Sequence, residues 1–347
     1  MDSYRGETKG YRFLNYAAFV SFFPQLIAGP IVLHSEMMPQ FANIRNKVIN
    51  YHHISLGLFI FSIGLFKKVV IADYFAIWAT NGFDTAVQLN MIEAWTTSLS
   101  YTFQLYFDFS GYTDMAIGAA LLFNIKLPVN FNSPYKATNI QDFWRRWHIT
   151  LSRFFRKYVY IPLGGNRNNE IKTYTNLFVI FLIGGLWHGA GWTFVFWGIL
   201  HGMAIIIHRT WRNFGFKMYR ALAWFITFNF INVAWVFFRA KEFEDAIKVL
   251  QGMFSVNIVL PIELSNNLEF LNHFGVEFGP WLEQIHCSFH TIILLGIVLS
   301  VSLFAKNSMQ QLNCLKFNTA SSFYVAFLLI TTLSFMNKIS HFLYFNF

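Results

Sequence analysis

The sequence predicts an all-α fold: a multi-pass bundle of transmembrane helices with one amphipathic helix at the membrane surface. Three observations predict it. Hydrophobic residues make up 55% of the 347 residues and charged residues 12%, with mean hydropathy +0.41, whereas a soluble domain carries about 25% charged residues. Apolar runs recur from Tyr11 to Phe347 with only short polar breaks. The basic excess, a net charge of +9, concentrates in residues 126–172. There Lys126, Lys136, Arg145, Arg146, Arg153, Arg156, Lys157, Arg167 and Lys172 face only Asp142 and Glu170. By the positive-inside rule this segment lies on the cytoplasmic side.

A helix needs about 20 apolar residues to cross a bilayer. The runs that qualify as candidates are 11–33, 54–79, 92–125, 173–188, 192–208, 219–238, 289–305 and 320–335. Unbroken runs such as 58–66 argue against a β-barrel, whose strands alternate. The first run contains Pro24 and Gly29-Pro30, which interrupt helical hydrogen bonding. Such backbone survives at membrane depth only against protein or a water-filled cavity. The second run carries Lys67 and Lys68, expected to snorkel at a helix end. The third is too long for one ordinary span and carries Gln104, Asp108 and Asp114. It either tilts or breaks near Gly111. Residues 252–287 are polar without Lys or Arg and read as an outer loop with a short helix.

The remaining features exclude more than they identify. The polar start lacks the charged-then-apolar order of a signal peptide. Cys287 and Cys314 have no metal or redox spacing, and no metal-ligand set is recognised. No basic soluble module suggests nucleic acid; the positive charge fits anionic headgroups of the bilayer.

Two histidines and a polar stripe are the candidates for chemistry. Read as one helix at about 100° per residue, residues 142–160 place Trp144, Trp147, His148, Leu151, Phe154, Phe155 and Tyr158 on one face. Arg145, Arg146, Arg153, Arg156 and Lys157 fall on the other. This is an interfacial pattern. Asn139 caps it, with Asp142 answering as in a capping box, and Pro162 and Gly164-Gly165 end it. His148, central on the apolar face, is either a buried histidine with one partner or a functional ionisable group.

His188 sits in Gly184-Gly185-Leu186-Trp187-His188-Gly189-Ala190-Gly191-Trp192, a break between two apolar runs. A neutral imidazole there can take a proton from a hydroxyl; tight packing around small residues is the structural alternative. Haem ligation by His188 and His201 is disfavoured, because thirteen residues turn a helix to nearly its opposite face. His201 and His208 read as packing or interfacial residues. Tyr101, Gln104, Asp108 and Tyr112 share one helical face. Asp108 either pairs with Lys67, Lys68 or Arg145, or orients a histidine.

The motifs then resemble a known family. Ser21-Phe22-Phe23-Pro24-Gln25-Leu26-Ile27-Ala28-Gly29-Pro30-Ile31 and Tyr106-Phe107-Asp108-Phe109-Ser110-Gly111-Tyr112 come first. Asn130-Phe131-Asn132-Ser133-Pro134-Tyr135 and Asp142-Phe143-Trp144-Arg145-Arg146-Trp147-His148-Ile149-Thr150-Leu151-Ser152 follow. Trp187-His188-Gly189-Ala190 and Trp235-Val236-Phe237-Phe238-Arg239-Ala240 complete the series. In this order they resemble the membrane-bound O-acyltransferase superfamily. The likeness is nearest to its alginate O-acetylating branch and more distant to the branch that moves D-alanine onto teichoic acids.

The resemblance implies a ring of helices around a tunnel, with an acyl donor entering from the cytoplasm. It implies His188 as the catalytic histidine and His148 as the second one. Asp108 and Asn139 would support them, and Arg145 and Arg146 would meet donor phosphates. The expected activity is O-acetyl transfer from a thioester, acetyl-CoA or a similar donor, with no bound cofactor. The acceptor would be hydroxyls of an extracytoplasmic, alginate-like polysaccharide, and a periplasmic acetyltransferase the partner protein. The expected location is the bacterial inner membrane. Residues 1–347 read as a single membrane-embedded domain that lacks the family's N-terminal helices. The rival readings are D-alanyl or other acyl transfer to a cell-wall polymer, a proton-coupled transporter, and a non-catalytic remnant.

Overall fold

A computed structural model describes residues 2, 4–6, 13–26, 29–167, 169–336 and 343. It is 73% helix and 2% strand, so the all-α class holds. The helices include α1 (Phe13–Ser21), α2 (His34–Ala42), α3 (Tyr51–Thr85), α4 (Met91–Leu122), α5 (Ile140–Trp144) and α6 (Ile149–Phe155). They continue with α7 (Glu170–His188), α8 (Trp192–Asn213), α9 (Arg220–Arg239), α10 (Phe243–Met253), α11 (Phe289–Phe304) and α12 (Thr319–Phe335). By length and composition, α3 and α9 are the described helices able to cross a membrane; α11 and α12 are apolar but shorter. The expected first span is interrupted as its prolines require: α1 stops at Ser21 and Pro24 sits in a single 3-10 turn. Part of that expected span, including residues 11–12 and 27–28, lies outside the described residues.

The axis of the fold is the pair α3 and α4. Helix α4 runs 32 residues without a break, so Gly111 does not interrupt it. Its role is close contact. A Cβ on Gly64 would lie 2.5 Å from the Gly111 carbonyl oxygen, and one on Gly118 would lie 2.6 Å from that of Gly57. Spacing of seven on both helices keeps these glycines on one face, and small residues let the backbones touch.

Lys67 and Lys68 lie at this crossing, in a π turn at Lys67–Ala72, not at a helix end. Lys67 pairs with Asp114 at 2.7 Å and donates to Ser308 Oγ at 3.2 Å. Lys68 pairs with Asp108 at 2.8 Å and Asp73 at 2.5 Å. The snorkelling expectation therefore fails, because carboxylates on the facing helix pair with both lysines where they stand.

Helices α7 and α8 form an antiparallel hairpin that crosses at Gly185 and Gly198. A Cβ on either would press within 2.4 to 2.5 Å of a carbonyl oxygen on the other helix. Chain reversal after His188 brings α8 back along α7, and α9 returns beside α8. The starts of α7 and α9 and the end of α8 thus share one end of the bundle. His188, Trp192 and Arg239 mark the other.

Two expectations change in local form. Residues 252–287 hold two short parallel strands, Ile258–Leu260 and Val276–Phe278, paired Ile258↔Val276, besides short helical turns. The single helix expected over 142–160 is two: α5, then α6 running into a π turn at Arg156–Tyr160. His148 stands at the break with φ +43° and ψ +53°, a left-handed conformation. It is therefore not mid-way along an apolar helical face. The cause is Asn130, whose carbonyl oxygen and side-chain oxygen accept the N–H groups of Ile149 and Thr150 at 3.0 and 3.1 Å. These bonds replace the helical ones.

Candidate active site

His188 is the last residue of α7. Its ring is buried edge-on among Trp187, Trp197 and Phe238, with centroids 5.0, 5.4 and 5.0 Å away. Gly189 follows it for a steric reason: a Cβ there would lie 2.7 Å from the Phe194 ring. His188 forms part of the wall of a cavity of about 690 Å³. That cavity runs along α7 and α8 toward the end of the bundle where α8 finishes. Arg145, Arg153, Arg156, Arg209 and Arg212 line it, and among the described residues no Asp or Glu does. Arg153 is held by Glu36, with Nη2 to Oε2 at 3.0 Å. Arg209 stacks on Tyr174 at 5.8 Å, and its buried Nε has no hydrogen-bond partner among the described residues.

A second cavity of about 650 Å³ opens toward the other end. Asp73, Thr80, Asp84, Gln104, Thr193, Arg239 and Lys241 line it, with Phe194, Phe238 and Leu343. Its charges are mutually satisfied: Arg239 donates to Asp84 at 2.6 Å, Lys241 lies 3.4 Å from the same carboxylate, and Asp73 meets Lys68. Phe194 packs on Phe238 at 5.1 Å. Phe238 therefore has one side on the second cavity and contacts His188, which faces the first.

His148 is buried and lines neither cavity. Its Nδ1 lies 3.1 Å from Asn130 Oδ1, and its ring meets Phe109 edge-on at 4.8 Å. From Phe109 an aromatic path leads to the other histidine: Phe109 to Phe131 at 5.0 Å, Phe131 to Trp147 at 5.1 Å, Trp147 to Trp235 at 5.0 Å, Trp235 to Trp197 at 5.9 Å, and Trp197 to His188 at 5.4 Å.

The other expected residues divide. Arg145 is in the basic cavity, but Arg146 is not: it pairs with Asp142 at 2.9 Å and donates to the Asn132 carbonyl. Asn139 is a helix cap, accepting the Asp142 N–H at 2.8 Å, and does not line either cavity. Asp108 pairs with Lys68 and accepts the Leu343 N–H at 3.1 Å, so it is an ion-pair residue and holds neither histidine. His201 is packed as expected, fully buried and accepting the Trp144 indole N–H at 3.2 Å. His208 instead lines the basic cavity. Burial pushes the Cys287 thiol up to about 12, which leaves it protonated and unreactive.

Sequence reading missed most of the cavity's cations. Arg153 and Arg156 were assigned to a headgroup-facing side, and Arg209 and Arg212 were not singled out. Their signal was faint: two arginines three apart at the end of an apolar helix, on one face.

Comparison with known proteins decides the family. A model of the MBOAT, membrane-bound O-acyltransferase family, matches residues 1–241, which include both histidines and the whole basic cavity. The chain belongs to the membrane-bound O-acyltransferase family. A peptidoglycan O-acetyltransferase of Helicobacter pylori is 58% identical over 346 residues, 96% of this chain and 64% of its own length. A probable alginate O-acetylase, AlgI, of Pseudomonas aeruginosa is 44% identical over 258 residues, 74% of this chain and 49% of its own. A teichoic acid D-alanyltransferase of Bacillus subtilis is 27% identical over 242 residues, 65% of this chain and 61% of its own. The chain thus spans less than two thirds of the length of each of these relatives. The expectation of greatest likeness to the alginate branch is corrected: the relative named for peptidoglycan is the more similar of the two.

Proposed function

We propose that this chain carries the acyl-transfer site of a multi-pass inner-membrane O-acetyltransferase. Acetyl groups move from a cytoplasmic thioester, such as acetyl-CoA, toward hydroxyls of an extracytoplasmic glycan. The observation that carries this reading is the position of His188 in the wall of a cavity lined by arginine without carboxylate, separated by Phe238 from a second cavity at the opposite bundle end. The arginine-lined end belongs with the basic loop at 126–172, so it faces the cytoplasm.

The chemistry follows from the groups present. The donor's phosphates would meet Arg145, Arg156, Arg209 and Arg212, because guanidinium forks onto phosphate oxygens. The thioester would reach His188 along α7. An imidazole nitrogen of His188 takes the proton of the acceptor hydroxyl as its oxygen attacks the thioester carbonyl. The tetrahedral adduct collapses, expelling the thiolate, which recovers that proton as the free thiol. The products are one ester and one thiol. The rings of Trp187, Trp197 and Phe238 exclude water, which strengthens each electrostatic interaction there.

The second cavity suits an uncharged sugar hydroxyl, since its own charges are already paired. The Helicobacter pylori relative supports a peptidoglycan sugar as acceptor over alginate. A periplasmic acetyltransferase that receives or directs the acetyl group would dock at this end. The test uses inverted inner-membrane vesicles, whose cytoplasmic face is outside. Labelled acetyl-CoA added outside is expected to leave label in the lumenal glycan fraction. Transfer only from donor sealed inside would overturn the assignment of the basic cavity, and proton-driven solute uptake without transfer would favour a carrier.

A further inference from the structure

We propose that Asn130 is a positioning residue that fixes His148 in one tautomer, with hydrogen on Nδ1 and the lone pair on Nε2. The inference deepens the acyl-transfer reading and rests on His148 taking part in it.

Asn130 is fully buried, eighteen residues before the histidine it meets. Its side-chain oxygen faces three groups: the Thr150 main-chain N–H at 3.1 Å, Thr150 Oγ1 at 2.9 Å and His148 Nδ1 at 3.1 Å. A main-chain N–H can only donate, so the amide atom it meets must be oxygen, which fixes the orientation of the Asn130 amide. That oxygen can only accept. His148 Nδ1 must therefore carry the hydrogen, and in the neutral ring Nε2 is the acceptor. Thr150 Oγ1 accepts the Ile31 N–H at 3.1 Å, which turns its own hydrogen toward Asn130. The network has a single consistent assignment.

The backbone adds a second constraint. The Asn130 carbonyl oxygen accepts the Ile149 N–H at 3.0 Å, so both oxygens of one residue hold the turn at His148. His148 has φ +43°, where a residue with a Cβ is disfavoured and persists only if its surroundings over-determine it. Asn130 is what over-determines it. Meanwhile Asn130 Nδ2 is buried without a partner among the described residues. The residue is kept for its oxygens, at the cost of an unsatisfied donor.

The test reads the tautomer and the activity separately. Protein with ¹⁵N-labelled histidine in lipid bilayers gives the His148 nitrogens by difference from His148→Gln. The wild type is expected to show a hydrogen-bearing Nδ1 and a bare Nε2; a bare Nδ1 overturns the proposal. This result needs no variant of Asn130 that might fail to fold. Asn130→Asp keeps the accepting oxygen and adds charge, so it should keep the tautomer and retain activity with its acid limb moved to higher pH. Asn130→Ala should lose the fixed tautomer and lower kcat on the order of 10- to 100-fold, with the KM for acetyl-CoA unchanged. Full activity of Asn130→Ala with the tautomer lost would overturn the positioning role. Full activity of His148→Gln would instead overturn the participation of His148, whatever the tautomer.

Discussion

The cavity lined by Arg145, Arg156, Arg209 and Arg212 and the cavity lined by Asp73, Asp84, Arg239 and Lys241 lie toward opposite ends of the same helices. The first is lined by five arginines and the second by Arg239 and Lys241, and they hold these cations differently. In the first, no carboxylate belongs to the wall, and the buried Nε of Arg209 has no partner among the described residues. In the second, Asp84 is engaged by Arg239 and Lys241, and Asp73 by Lys68. The difference indicates which ligand each end suits. Uncompensated guanidinium groups stabilise a polyanion, whereas a self-neutralised wall leaves dipoles for neutral hydroxyls. Under the proposed acetyl transfer, the first end would take a thioester donor's phosphates and the second a sugar.

The largest expected effect concerns the buried pairing beneath the second cavity. Lys68→Met leaves Asp108 buried without its cation, a change that costs about 3–5 kcal/mol. Thermal unfolding of the detergent-solubilised protein should fall sharply, and Asp108→Asn added to Lys68→Met should restore part of it. Unchanged stability in Lys68→Met would mean that the α3–α4 ion pairs do not hold the frame of the site. Next is the donor cavity. Replacing Arg209 and Arg212 together with Ala should raise the KM for acetyl-CoA on the order of 10- to 100-fold, as charged hydrogen bonds of about 1.5–3 kcal/mol are lost. The same change at Arg239 and Lys241 should move it less than about twofold. Equal effects at the two ends would break the comparison.

A smaller effect sharpens the partition. Phe238→Ala removes the ring between His188 and the second cavity. Acetyl-CoA hydrolysis without acceptor, followed by thiol release, should rise several-fold as water reaches the site. The smallest is ionic. Raising salt should weaken acetyl-CoA binding a few-fold, because screening shortens the reach of the cavity's cations, while acceptor dependence stays nearly flat.

What the sequence made legible follows from the range of the interactions involved. The helical class was plain because apolar runs are local. The break in the chain at His188 was plain because glycines stand on both sides of it in the sequence. The break at His148 was not, because the bonds that make it come from Asn130, outside the window in which periodicity is read. The fate of Lys67 and Lys68 was hidden for the same reason: Asp114 and Asp108 lie on the next helix. Arg209 and Arg212 were missed because the end of α8 reads as the edge of an apolar span, and only the fold sets it opposite Arg145 and Arg156.

The most direct test of the central claim is the acetyl-ester content of the cell-wall peptidoglycan in a deletion strain carrying either wild type or His188→Ala at equal membrane abundance. A catalytic His188 in the donor cavity predicts esters restored by wild type and held at the deletion level by the variant, a loss of about 10²–10⁴ in transfer rate. Ester content equal to wild type in His188→Ala would contradict it.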